Sequence, residues 1–185
     1  MSKAKLKKEL QTLDRDQLIE VLLSTYSASA GAKEYLEFFL EPDVDKLQEK
    51  KLKLVDKELA RSKYGYSKAR VSVINKTIKD FESYGISPEY VATFALNIFV
   101  LMLRYERYLN YSATQVSTTG KILAKYILES TKAGQLKDAL ESLKTIYWDS
   151  KIGREAFKSY MPSWIRTAIS ALPEDTELPQ VDFSK

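Results

Sequence analysis

Apolar residues recur at helical spacing from one end of the chain to the other. Leu6, Leu10 and Leu13 stand four and three apart, and Leu18, Val21, Leu22 and Tyr26 form the next stripe, as one face of an α-helix requires. Asp14 with Gln17 three residues on predicts a capping box, so a second helix starts there after a tight link. A third helix fits 31–40, stopped by Glu41-Pro42, because a residue before proline avoids the α region. Asp43 is placed to cap a fourth over 44–63. A fifth runs through 68–84, with Val71, Ile74, Ile78 and Phe81 on one face and Gly85 beyond its end. Residues 64–67, "YGYS", are expected as the turn between these two, with Gly65 its flexible point.

The clearest start signal is "ISPEY". Ser87 takes the N-cap, Pro88 the first helical position and Glu89 the first turn, where a negative charge suits the helix dipole. The helix it opens, 87–110, contains the most apolar run, 90–103. That run is shorter than the ~20 residues of a membrane span and Asn97 interrupts it. It therefore predicts a buried central helix and no membrane insertion. Further helices fit 114–131, 135–150 and 162–172. The pattern predicts an all-α domain over 1–172, of eight to ten helices around the 87–110 helix, as a closed bundle or a short solenoid-like array. The acidic, proline-spaced stretch 173–185 is expected to be a flexible tail.

Three blocks together resemble a bacterial family known only as a domain of unknown function. The first is Leu6-Lys7-Lys8 through Leu10, Leu13, Gln17, Leu18 and Ile19. The second is "KEYLEFFLEP" at 33–42. The third is Arg70, Ser72, Lys76, Ile78, Asp80 and Phe81, followed by "YGISPE". The resemblance covers roughly 5–110. It implies a helical fold and a bacterial origin, and it brings no activity or ligand with it.

Composition narrows the chemistry. The 185 residues include no cysteine and no histidine. Disulfides, thiolate or imidazole metal sites, Ser-His-Asp triads and histidine acid/base catalysis each lose a required member. The chain has no Walker A, G-x-G-x-x-G or G-x-S-x-G motif. Two carboxylate clusters, Glu41/Asp43/Asp45 and Glu174/Asp175/Glu177, lack calcium-loop spacing. They read as helix N-terminal charge and as a solvated tail. No catalytic residue, metal or cofactor is assigned, and the expected setting is a reducing cytoplasm. An enzyme built on carboxylates is the third-ranked reading.

Charge is unevenly placed. The formal net charge is +4. Between 46 and 79 eleven cations stand against Glu49, Asp56 and Glu58, which makes that segment +8 and the rest −4. On a helical wheel Lys46, Lys50, Lys53, Lys57 and Arg61 form one ridge opposite Leu47, Leu54, Val55 and Leu59. Glu58 falls on the apolar side. Lys63, Lys68, Lys76 and Lys79 extend the ridge, and Tyr64 and Tyr66 stand at the turn. Such a face suits an acidic protein partner. Alternatively it suits nucleic acid, with the tyrosines stacking on exposed bases. The plainer reading is a solvated lysine face that keeps the helix in water. Lysine outnumbers the arginine forks that base recognition favours. Arg70 borders Ile74 and Phe81 on its wheel and is expected to be partly buried and paired with an acid.

Two further features carry candidate chemistry. The N-terminal helix pair resembles small helix-extension-helix DNA-binding modules, with Lys3, Lys5, Lys7 and Lys8 toward phosphates, although the link is short for one. Asn97 and Arg104, in a polar line with Thr93 and Arg107, form a candidate pocket for a carboxylate or phosphate. The competing reading makes this line the less buried side of the apolar helix.

Overall fold

The computed structural model describes residues 1–179. The expected tail, 173–185, lies partly outside them, and its described part, 173–179, holds no helix or strand. The architecture is all-α. Ten helices and one two-stranded ribbon are present among the described residues. Backbone contacts group the chain into two compact units, Met1–Asp43 and the chain from Val44 onward.

The first unit contains α1 (Lys3–Leu10), α2 (Arg15–Ala28) and α3 (Ala30–Leu40). The capping box at the start of α2 is formed: the Gln17 amide donates to Asp14 Oδ1 at 2.8 Å, and the Asp14 amide to Gln17 Oε1 at 3.1 Å. Ser29 ends α2 and caps α3. Tyr26 Oη donates to Glu37 across the α2–α3 pair at 2.9 Å. Among the described residues, none in these three helices is buried.

The second unit carries the core. Its elements are α4 (Val44–Leu59), β1 (Ser62–Lys63), β2 (Tyr66–Ser67), α5 (Val71–Glu82), α6 (Pro88–Glu106), α7 (Ala113–Lys132), α8 (Leu136–Trp148), α9 (Glu155–Lys158) and α10 (Met161–Ser170). The predicted central helix is α6. Nine of its residues are buried, Phe94, Ile98, Phe99, Met102 and Leu103 completely. Burial of that order, at ~1.5–3 kcal/mol per large apolar side chain, is what α6 contributes to the fold. Phe94 meets Phe81 of α5 with ring centroids 4.2 Å apart. Helix α6 packs along α7, and α7 in turn takes α10.

Gly120 sets the α7–α10 approach. A Cβ there would lie 2.7 Å from Trp164 Nε1. The Trp164 ring is stacked on Tyr160 and meets Phe157 edge-on.

Several local expectations shift. Helix α6 ends at Glu106 rather than 110, and Ser87 holds the N-cap position without a side-chain capping bond among the described residues. Helix α5 begins at Val71, so Lys68 lies in the link before it. Helix α7 begins with an S-x-x-Q capping box, Ser112 and Gln115.

Candidate functional site

The largest departure from the sequence reading is the turn at 64–67, which is a built hairpin rather than a plain connector. Ser62 pairs with Ser67 and Lys63 with Tyr66, antiparallel. The two central residues both have positive φ, Tyr64 at 53° and Gly65 at 76°. This is the requirement of a type I′ turn, whose twist matches that of its strands. Glycine meets it without strain. For tyrosine the left-handed region costs ~1–2 kcal/mol, so a bulky residue is held where asparagine would sit more easily. The strands are two residues long, too short for any alternation to show in the sequence.

Buried groups hold the hairpin from beneath. Glu58, on the inner face of α4 and only 5% exposed, accepts from Arg61 Nη1 at 2.6 Å. It also accepts from the Arg70 amide at 2.7 Å, Arg70 Nε at 3.0 Å and Arg70 Nη2 at 2.8 Å. One carboxylate thus joins the residue before β1 to the N-cap of α5. The hydrogen bonds from Arg70, reinforced by the Arg61 charge, outweigh burial and bring Glu58 down to about 2. The Lys68 amide donates to the Arg61 carbonyl at 2.8 Å and closes the base. From α7, the buried Gln115 donates Nε2 to Ser67 Oγ at 2.8 Å and to the Ala69 carbonyl at 3.0 Å.

The loop after α6 supplies a third hold. The Asn110 amide donates to the Gly65 carbonyl at 2.8 Å, and the Ser67 amide to the Asn110 carbonyl at 3.0 Å. The hairpin tip therefore stands beside residues 108–110. Its own side chains point outward. Tyr64 is 88% exposed, and Tyr66 and Tyr108 are exposed as well. Lys63 Nζ lies 5.2 Å from the Tyr64 ring centroid, a cation–π distance.

The ridge residues Lys46, Lys50, Lys53, Lys57, Arg61, Lys63, Lys68, Lys76 and Lys79 are all exposed, as are Tyr64 and Tyr66. Helices α4 and α5, which carry most of these cations, pack against each other. Part of the charge is locally engaged: Lys53 pairs with Glu49 at 2.6 Å, and Arg61 with Glu58. Lys51 turns inward, 7% exposed, with Nζ 5.6 Å from the Tyr84 ring. Arg70 corrects the sequence reading. It is paired with an acid, but its side chain is 61% exposed and Glu58 is the buried member. A guanidinium can reach a buried carboxylate while most of it stays in water.

Asn97 and Arg104 line an open groove of about 370 Å³ between α4 and α6, floored by Leu52, Val100 and Leu101. Asn97 is half-buried and Arg104 exposed. Glu49, Lys53 and Asp56 share the wall. Glu49 is lowered by its hydrogen bond from Lys53, and Asp56 accepts from Tyr105 Oη at 3.0 Å. Two carboxylates on its wall make this groove a mixed-charge surface rather than an enclosed anion pocket. Arg107, in the same polar line, donates to the Ser150 carbonyl at 2.6 Å.

Glu58 and Gln115 are the side chains of this candidate site whose role in holding the hairpin the sequence reading missed. For Gln115 the S-x-x-Q spacing with Ser112 is the signal that could have found its capping role. Nothing local signalled its reach to Ser67, 48 residues away.

Among the described residues no helix is long and apolar enough to cross a membrane, and no three Asp or Glu side chains gather as a metal ligand set. No curated protein and no solved structure gives a match. A family model described as a family of unknown function (DUF6155) matches residues 1–150, which takes in α1 to α8 and the whole hairpin site. The chain belongs to that family.

Proposed function

We propose that the chain is a non-enzymatic interaction protein that holds an acidic protein partner on the exposed face of α4 and α5 and on the hairpin between them. One observation carries this reading. A tyrosine at positive φ, 88% exposed and set among lysines, is kept in place by a buried carboxylate and a buried amide. Backbone strain and an outward aromatic persist only where surrounding structure over-determines them, and such positions concentrate at binding sites. The surplus of cations supplies attraction and orientation toward negative charge. The absence of histidine and cysteine supports a binding role over catalysis. A chain without cysteine also gains nothing from an oxidising compartment, which supports a cytoplasmic setting.

Single-stranded nucleic acid is the second reading, favoured by three exposed tyrosines at one tip. Base stacking on such rings contributes ~1–3 kcal/mol each. Retention of the full chain on an acidic polypeptide matrix, on heparin and on single-stranded oligonucleotides, measured from low to physiological salt, separates the readings. The first expects binding to the polypeptide that falls in Tyr64→Ala. A preference for oligonucleotide with a steep salt slope transfers the site to nucleic acid. No retention on any of the three at low salt removes both.

A further inference from the structure

We infer that Met1–Asp43 is a self-association module, in which the groove between α1 and α2 of one copy takes the C-terminal end of α3 of a second copy. The inference is independent of the basic face. The groove measures about 400 Å³, with a floor of Leu6, Leu10, Leu13 and Leu18 and with Lys3 and Lys7 on its wall. Its complement lies in the same unit. Phe39 and Leu40 at the end of α3 are 70% and 75% exposed, and Glu41 follows them directly. An apolar helix end bearing an acid fits an apolar groove rimmed by lysine.

Size makes the same demand. A unit of this length closes at most a marginal core without a staple or a partner, and among the described residues its helices bury none. Leu6, Ile19, Leu22, Leu23, Phe39 and Leu40 are each at least 41% exposed, apolar surface of the kind a second copy would cover.

Charge points to a second copy rather than another protein. Helix α1 carries Lys3, Lys5, Lys7 and Lys8 against Glu9 alone, while between 14 and 43 seven acids stand against Arg15 and Lys33. A patch with both signs segregated is self-complementary, and a two-fold pair fills both grooves at once.

Sedimentation equilibrium of the full chain over a micromolar concentration series tests this. The expected result is a reversible dimer. Phe39→Asp with Leu40→Asp should raise its dissociation constant about tenfold or more, with unchanged helical circular dichroism because both side chains are already exposed. Leu54→Asp, on the outer face of α4, serves as the control and should leave the dimer intact. Lys7→Glu should weaken it, and adding Glu41→Lys should restore it, a recovery that unspecific apolar sticking would not produce. A wild-type chain that stays monomeric, a dimer that survives loss of Phe39 and Leu40, or a charge reversal without recovery would each overturn the assignment.

Discussion

Replacing Glu58 by glutamine tests whether one buried carboxylate builds the hairpin. The substitution keeps the shape and one acceptor oxygen but removes the charge that serves two guanidinium groups and the Arg70 amide. A descent from 4.5 to about 2 corresponds to about 3–4 kcal/mol at ~1.4 kcal/mol per unit. That figure is an upper bound. The Arg61 and Arg70 side chains are 45% and 61% exposed, and water recovers part of the interaction when the acid is lost. The expected loss is about 2 kcal/mol, within the ~1.5–3 kcal/mol range of hydrogen bonds to charged groups.

The sign of the pH dependence follows from the direction of the shift. Above about 4.5 Glu58 is ionised both folded and unfolded, and its contribution is complete. As pH falls below that value the unfolded chain takes up the proton first, so stability drains away until about pH 2, where the folded protein is protonated too. Urea unfolding can be followed by tryptophan fluorescence, since Trp148 and Trp164 both lie in the second unit. It should separate wild type and Glu58→Gln by about 2 kcal/mol at neutral pH. The gap should narrow steadily below about pH 4.5. Equal stability at neutral pH, or a gap that stays constant down to pH 3, would refute the reasoning.

Three other outcomes are expected. Gly120→Ala places a methyl 2.7 Å from Trp164 Nε1. An overpacking cost of ~1–3 kcal/mol outweighs a helix-propensity gain of ~1 kcal/mol, so thermal unfolding should shift down while the Trp164 emission changes. Tyr64→Asn relieves the left-handed strain and should stabilise the fold by roughly 0.5–1 kcal/mol. It should at the same time weaken retention on the acidic matrix, and a melt read beside a binding assay shows whether the two move in opposite directions. Asp14→Ala removes the α2 capping box and costs ~1 kcal/mol locally. Hydrogen exchange should show faster amides at the start of α2 with the core of the second unit unchanged.

What was legible in the sequence was whatever depends on neighbours within one turn of helix. The Asp14–Gln17 box, the Pro88 start, the α6 apolar run and the ridge of Lys46, Lys50, Lys53 and Lys57 all follow from spacing alone. The hairpin was not legible, because two-residue strands carry no period and a tyrosine at positive φ breaks the usual Asn-Gly signal. Glu58 read as an acid on the wrong face of an amphipathic helix. Its reason is Arg70, twelve residues on, and no local rule reaches that far. Arg70 departs from its expected burial for the converse reason. The helical wheel locates its Cα beside Phe81, yet a long side chain follows its partner and not its stem.

Glu58 has a counterpart in a second buried acid. Glu106, at the end of α6 and 1% exposed, accepts from the Arg154 amide at 3.2 Å and from its Nε at 2.7 Å. Arg154 is the N-cap of α9, as Arg70 is of α5. In both places a buried carboxylate from one helix end serves the start of another, where amides lack intrahelical partners and the dipole is positive. The guanidinium completes the neutralisation while remaining half in water. The two clamps close chain segments of very different length, 12 residues for the hairpin and 48 for the stretch holding α7 and α8. Only the first therefore works as a local device that fixes a turn. It also redistributes the charge of the basic face. With Arg61 and Arg70 committed to Glu58, Lys53 to Glu49 and Lys51 turned inward, Lys63 and Lys68 are the exposed lysines carried by the hairpin and its link to α5. Attraction for an acidic partner is then weighted toward the hairpin, whose position the buried Glu58 and Gln115 dictate.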